Sequence, residues 1–449
     1  MKKMLSWVLA AAMLCICALF TGSVYATEYA AIDFAKTISG GAYHTAAIKE
    51  DGSLWIWGNN GSYQLGLGIE DRSYNAYMPA CVIESGVASV ALGGLHSMAV
   101  TVDGELYGWG QNNFGQIGVG DFMDKSTPVL VMEDVSAVSS GFQHTLAIKN
   151  DGTLWAWGKN DYGQLGTGAW YTLNTPQQIM EDVVAAAAGT YHNLALKADG
   201  TLWAWGYNQY GQLGTGNTQI SNAPIQIMEG IDIASMSCGN AHSAVLTASG
   251  ELYMFGQNTS HQVSGAVDNT EVTNPTLVLS DVKQVQCGNV HTLALKNNGD
   301  LYCWGANNRR QCLPGDTETY VIDEPTLFIS GVEYISSGAD FNIVLKNENE
   351  LYGWGWNHEG ELGQGGADNY DREVFILAGI AQPGPIEASL IGDVNGDGII
   401  STQDALLILR YAMGLIDESS IDIALADFNG DGSIDMVDAA ALLNQLLTA

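Results

Sequence analysis

One feature restricts the fold of this chain more than any other: it repeats itself. A unit of the form Gly-x-x-His-Thr-x-Ala-x-Lys, Asp-Gly, Leu-Trp-x-Trp-Gly-x-Asn, Gly-Gln-Leu-Gly returns seven times, and successive copies start 48 to 52 residues apart. Its histidines are His44, His96, His144, His192, His242 and His291, with Phe341 in the seventh copy. Thirteen residues after each stands an aromatic followed by glycine: Trp57, Trp109, Trp157, Trp205, Phe255, Trp304 and Trp354. A period of this length belongs to solenoids or propellers, in which no unit buries its apolar face alone and each stacks on its neighbours.

Within a unit the pattern has period two. In "TLWAWG" (Thr153 to Gly158), Trp155 and Trp157 point one way and Leu154 and Ala156 the other, as in a strand buried on both faces. "HTLAIK" (His144 to Lys149) is a second strand, joined to the first through Asp151-Gly152, a pair that accepts positive φ and makes a tight hairpin. The seventh copy has Asn349 in the glycine place, and asparagine tolerates the same conformation. A strand such as "DVSAVSSG" precedes the hairpin and one such as "TPVLVM" follows the Gly-Gln-Leu-Gly turn. Four short strands per period make a propeller blade. An open stack would need polar terminal copies, yet copy one keeps Trp55 and Trp57 and copy seven keeps Tyr352 and Trp354. Apolar ends must find each other, so the expectation is an all-β, closed, seven-bladed ring over residues 29–380.

On these residues the unit resembles the regulator-of-chromosome-condensation repeat, whose members build seven-bladed propellers. Copies five and six depart in the turn, where "HQVSG" (His261 to Gly265) and "RQCLPG" (Arg310 to Gly315) replace Gly-Gln-Leu-Gly, and copy one has Tyr63 in place of the first turn glycine. The resemblance implies the fold. The eukaryotic namesake's role as a nucleotide-exchange factor on chromatin does not suit an exported, acidic chain. A secreted bacterial relative that inhibits β-lactamases by docking one face of its ring implies only that such a ring can serve as a protein-binding platform.

Export is read from the N-terminus. Lys2 and Lys3 precede an apolar run from Met4 to Phe20, and Val24-Tyr25-Ala26 presents a cleavage site after Ala26, so residues 1–26 are expected to be a signal peptide. Without the leader's two lysines the chain carries 14 basic against 49 acidic side chains, about −35 in formal charge. Such a field repels nucleic acid and anionic membrane and favours solubility and cations. The five remaining cysteines (Cys81, Cys238, Cys287, Cys303, Cys312) are odd in number and scattered, which does not make a disulfide framework; Cys238 and Cys287 sit at equivalent repeat positions and read as buried thiols.

The chain ends differently. "DVNGDGIISTQD" (Asp393 to Asp404) and "DFNGDGSIDMVD" (Asp427 to Asp438) start 34 residues apart, each with glycine at loop position six. Calcium needs about six to eight hard oxygen ligands, and that glycine permits the sharp turn between them. Loop one offers Asp393, Asn395, Asp397, the carbonyl of Ile399, Ser401 and Asp404. Loop two offers Asp427, Asn429, Asp431, the carbonyl of Ser433, Asp435 and Asp438. Two Ca2+ ions are therefore expected. Position twelve is aspartate rather than glutamate, and no regular helix enters either loop, although each leads into an apolar helix, "ALLILRYAMG" and "AAALLNQLL".

This duplicated loop-helix unit resembles a type I-like dockerin over residues 390–449, the module that plugs cellulosomal proteins into the cohesins of a scaffoldin. The resemblance implies a cohesin-facing surface at Thr402, Gln403, Leu409 and Arg410 in copy one and at Met436, Val437, Leu443 and Asn444 in copy two. For Met436 and Val437, packing between the two helices is the competing reading. Some sixty residues bury little surface, so metal must supply much of the folding free energy. Between ring and tail, "AQPGPIEAS" (residues 381–389) is a short Pro/Gly linker.

Catalytic signatures are absent from the sequence: there is no His-Glu-x-x-His, Gly-x-Ser-x-Gly, phosphate loop or zinc-type cysteine cluster. The six equivalent histidines read as a repeated structural hydrogen bond. The irregular residues are His261, Arg309, Arg310, Trp170 and Trp356. Two readings follow. The first is a secreted, non-catalytic platform that binds a protein or a polysaccharide and is attached to a cellulosome through its tail. The second is a plant-polysaccharide hydrolase or lyase, which would need two suitably spaced carboxylates on the ring face.

Overall fold

The computed structural model describes residues 36–382 apart from 265–269, 314–317 and 348, and in the C-terminal part residues 394, 402–413, 415, 416, 421, 426 and 434–448. Seven four-stranded antiparallel sheets are formed, each from four consecutive strands. The first is β1 (Ile38–Gly40), β2 (His44–Ile48), β3 (Leu54–Gly58) and β4 (Ala76–Ile83). The third is β9 (Val135–Ser140), β10 (His144–Lys149), β11 (Leu154–Gly158) and β12 (Leu173–Met180), and the seventh runs from β25 (Val332–Ser337) to β28 (Tyr370–Ala378). The expected ring of seven blades is therefore present. Contacts divide the chain into a unit spanning Tyr29–Ile386, which holds the ring, and a second unit that includes Glu387–Ala449.

The hairpin forms as its residues dictate. His144 pairs with Gly158, Thr145 with Trp157 and Ala147 with Trp155. At the turn, Asp151 Oδ1 accepts from the Thr153 backbone N–H and hydroxyl, while Gly152 takes φ 77°. Trp157 is fully buried between blades. Trp155 is only half-buried, its indole N–H donating to Thr153 Oγ1 at 2.9 Å. The glycine ahead of each histidine is obligatory: a Cβ on Gly141 would lie 2.2 Å from His144 Cε1 and 2.6 Å from the Gly189 carbonyl of the next blade. In the outermost strands, Pro79, Pro128, Pro176, Pro224, Pro275 and Pro325 occupy one equivalent position. Proline donates no ladder hydrogen bond, so it fits an edge strand and blunts the edge against further pairing.

The blades are locked to one another by a repeated polar device. Each buried histidine bonds through Nε2 to the residue after the next blade's histidine or its equivalent: His44 to Ser97 (2.9 Å), His96 to Thr145 (3.0 Å), His144 to Asn193 (2.7 Å), His192 to Ser243 (2.9 Å), His242 to Thr292 (3.2 Å) and His291 to Asn342 (2.8 Å). In blades one to four and in blade seven that same residue, and the buried tryptophan paired with it, both donate to one carbonyl in the preceding blade's turn. At Gln116 O, for example, Thr145 Oγ1 arrives at 2.8 Å and Trp157 Nε1 at 3.0 Å. The histidines are thus structural. Burial lowers their pKa to about 3 for His44, His96, His192 and His242 and to about 4 for His144, so they stay neutral.

Closure is made by a residue beyond the repeat. In blades two to seven the inner strand begins with a buried aliphatic paired to the end of the second strand, as Val135 with Lys149 and Val332 with Lys346. Among the described residues blade one has no such residue, β1 starting at Ile38. Ile380 takes the place: it bridges Lys49, is fully buried, and donates its N–H to Asn349 O at 3.1 Å, as Val332 does to Gly299 O at 3.0 Å. Ala381 N adds a bond to Ile48 O at 2.9 Å.

The cysteines correct one expectation. Cys303 and Cys312, whose Cα atoms lie 5.0 Å apart, are joined as a disulfide within blade six. Cys312 stands where other blades put the turn's buried aliphatic, such as Leu165, and Cys303 where they put a strand residue such as Ala156. A covalent bond replaces an apolar contact in the blade whose turn departs from the repeat. Cys287 is a buried thiol as expected, its pKa pushed up to about 12 by burial; Cys238 is only half-buried and Cys81 exposed.

Candidate functional site

In the C-terminal unit, two helices follow the two acidic loops: α1 (Thr402–Ala412) and α2 (Met436–Thr448). They close over an apolar cluster of Val394, Ala405, Ile408, Leu409, Ile421, Ala426, Ala439 and Leu442. The position-twelve aspartates, Asp404 and Asp438, lie in the first turns of these helices and are fully buried. An acidic group is favoured at a helix N-terminus. In α2 the cap is reciprocal: Asp435 Oδ1 accepts from Val437 N at 2.7 Å and Asp438 Oδ2 from Asp435 N at 2.8 Å. Two carboxylates drawn out of water at the ends of two acidic loops fit a pair of bound cations, since a buried charge must be paired or coordinate metal. Of the expected ligands, Asp393, Asn395, Asp397, Ile399, Ser401, Asp427, Asn429, Asp431 and Ser433 lie outside the described residues.

The expected partner-facing residues separate. Met436 and Val437 are exposed, 38 % and 57 %, so they are not packed between the helices, and Arg410 is exposed too. Leu409 is corrected: at 4 % exposure it belongs to the core of this unit, because the apolar stripe of α1 turns inward there. Thr402 and Gln403 open α1, and Leu443 and Asn444 lie in the second half of α2.

On the ring, the irregular residues have identifiable settings. His261 and Arg310 adopt φ 55° and 65°, and Tyr63 64°, the left-handed conformation of the glycines they replace. His261 Nδ1 pairs with Asp323 at 2.7 Å. The Arg309 guanidinium lies 3.9 Å over the Trp356 ring, on which His358 also stacks. Trp170 is 52 % exposed. Carboxylates gather in blade seven. Glu361, which replaces the turn glutamine of the other six blades, has its pKa raised to about 8 by burial, with Glu359 and Asp340 adding repulsion. It has no surface exposure and so touches no substrate. Glu359 Oε2 is held by Asn59 Nδ2 (2.9 Å) and Asn75 Nδ2 (2.7 Å) across the seam to blade one.

What the repeat pattern did not reveal is a cavity of about 410 Å3 where the inner strands of all seven blades end. Its rim comes from the two residues between glycine and histidine in each copy, among them Tyr43, Phe142, Tyr191, Asn240, Asn289 and Asp340. The available signal was variation: these two positions change from copy to copy while the glycine before them never does.

Comparison with known proteins agrees with this geometry. The chain matches the RCC1-like domain family over residues 22–328, the regulator of chromosome condensation (RCC1) repeat over 332–361 and the dockerin type I domain over 391–447. Among curated relatives it is 40 % identical over 92 residues to the human probable E3 ubiquitin-protein ligase HERC3, covering 20 % of this chain and 9 % of that one. It is also 40 % identical over 89 residues to the ultraviolet-B receptor UVR8 of Arabidopsis thaliana, 20 % of each chain. The match thus spans a fifth or less of these relatives' length. Among solved structures, human WBSCR16 superposes with a TM-score of 0.66 at 21 % identity, covering 72 % of this chain and 94 % of that one. Prp20p of Saccharomyces cerevisiae gives 0.66 at 20 %, covering 77 % and 88 %. At such identity the likeness is one of fold. The chain belongs to the RCC1-like domain family and ends in a type I dockerin domain.

Proposed function

We propose that this protein is a secreted, cellulosome-associated component. In this reading the dockerin binds a scaffoldin cohesin with two calcium ions in place, and the ring is a non-catalytic platform for a protein or glycan in polysaccharide degradation. The observation that carries the reading is the C-terminal unit: buried Asp404 and Asp438 close two acidic loops beside helices whose exposed Arg410, Met436 and Val437 offer a contact surface. Aliphatic and arginine side chains on a rigid helix suit a protein interface. The cohesin-facing set becomes Thr402, Gln403 and Arg410 in copy one and Met436, Val437, Leu443 and Asn444 in copy two. The two sets differ chemically, so one half dominates.

The platform reading for the ring is supported by its regularity. Its histidines, tryptophans and turn carbonyls are spent on locking blades. The same fold occurs in Prp20p, a protein described by its binding to Gsp1p and histones. Extracellular placement rests on the apolar leader over residues 1–26 and on the docking module. Among the described residues no helix is long and apolar enough to cross a membrane.

The test is calorimetric titration of the full chain with a purified type I cohesin, in calcium and in EGTA. Tight one-to-one binding in calcium, lost in chelator, is expected. Binding that persists in EGTA, or none in calcium, rejects the docking role.

A further inference from the structure

The cavity at the end of the ring's channel has a divided lining. Over blades four to seven its rim carries Thr190, Asn240, Asn289 and Asp340, which offer one hydroxyl, two amides and one carboxylate. Over blades one, three and four it carries Tyr43, Phe142 and Tyr191. None of the four polar side chains makes a hydrogen bond among the described residues. Other asparagines of the ring are engaged internally: Asn160 caps its turn through Leu165 N at 2.9 Å, and Asn193 and Asn342 hold histidines. Meanwhile Tyr191 is held in place, packed against Tyr162 at 5.0 Å between ring centres, with Lys159 Nζ 5.8 Å from its own. A held aromatic ring therefore lines the same cavity as unengaged polar groups.

We infer that this cavity binds the end of a neutral polysaccharide chain, one or two pyranose rings deep. The inference rests on the platform reading and names its ligand. A pyranose has two needs at once. Its C–H face is apolar and stacks on an aromatic ring, and its hydroxyls both donate and accept, as amide and carboxylate groups do. The cavity supplies both, and its volume falls in the range of small-ligand sites, roughly 300–1,000 Å3. Charge narrows the class. The lining holds one cation, Lys36, and one anion, Asp340, so the discrimination comes from the whole protein, whose formal charge of −33 disfavours an anionic sugar acid. An apolar peptide side chain would cover two amides and a carboxylate without giving them partners.

The experiment is isothermal titration of the full chain with cellohexaose, xylohexaose, mannohexaose and, as the anionic control, a galacturonic acid hexamer. The expected result is one-to-one binding of at least one neutral hexaose. Asn289→Ala and Tyr191→Ala each weaken it tenfold or more without moving the ring's melting temperature, while Trp170→Ala leaves it unchanged. Two variants in the lining keep the test valid if one folds poorly. The inference is overturned if no neutral hexaose binds, if binding survives both substitutions, if Trp170→Ala abolishes it, or if the galacturonic hexamer binds better. Should a purified protein partner bind the ring while all sugars are silent, the platform reading stands and the sugar pocket falls.

Discussion

The ring and the tail solve the same problem by different means. Each ring blade buries a tryptophan or phenylalanine against its neighbour, and each buried tryptophan is fixed by a neutral hydrogen bond from its indole N–H, so the fold is its own template seven times over. Among the described residues the tail buries eight apolar residues around two helices, and the buried polar groups are the carboxylates Asp404 and Asp438. A neutral histidine can be sealed from water by one good partner, whereas a sealed carboxylate needs a cation or several donors. In the proposed reading the ring is therefore indifferent to calcium, and the tail depends on it.

Five measurements sharpen or break that contrast, beginning with the largest effect. Asp404→Ala combined with Asp438→Ala removes a proposed ligand from each loop. It is expected to weaken cohesin binding at least 100-fold, about 2.7 kcal/mol, with the ring's melting unchanged; titration and a thermal scan of one sample read both. Acid comes next. The histidines' pKa values fall from 6.5 unfolded to about 3–4 folded, so their contribution is full above pH 6.5 and lost as pH drops toward 4. Each costs roughly 1.4 kcal/mol per pH unit in that window. The ring's melting temperature should fall steeply below pH 6.5 in calcium and in EGTA alike. Loss of stability on the alkaline side alone would contradict the neutral-histidine lock.

Smaller effects probe single seams. His144→Ala leaves the Asn193 carbonyl unpaired in a sealed site and removes a ring of packing, a cost of about 3 kcal/mol by denaturant unfolding. At the seam between blades seven and one the sign reverses. Glu361 has its pKa raised from 4.5 to about 8, so its neutral form stabilises the ring at low pH, and that contribution is lost as pH rises from 4.5 through 8. Glu361→Gln, the residue of the other six blades, should raise the melting temperature at pH 8 and leave it unchanged at pH 4. The smallest change is Arg310→Gly, which relieves a left-handed non-glycine residue at φ 65°. It should add roughly 1 kcal/mol, measured by the shift of the unfolding midpoint.

The same contrast explains what the sequence could disclose. Repetition exposes whatever all copies share, so the blade, the Asp-Gly hairpin, the structural histidines and the two loop-helix units were legible from spacing. Repetition is blind to what one copy does alone. Ile380 closes the ring from a position after the last repeat, and only the bridge to Lys49 identifies it as the missing first residue of blade one's inner strand. Cys303 and Cys312 replace an apolar pair in one blade, so no pattern of even spacing announced their bond. Leu409 and Arg410 are neighbours in sequence, yet a helix turns through about 100° per residue and places one in the core and one in water. The cavity rim consists of the positions the repeat leaves open.

Scanning calorimetry of the full chain, in calcium and then in EGTA, separates the two regions most directly. Two transitions are predicted in calcium, a large one from the ring and a small one from the tail, with added cohesin raising only the small one. In EGTA the small transition should vanish while the large one stays within a degree or two. A tail that melts cooperatively in EGTA, or a ring whose transition collapses with it, would contradict the division of labour between the two regions.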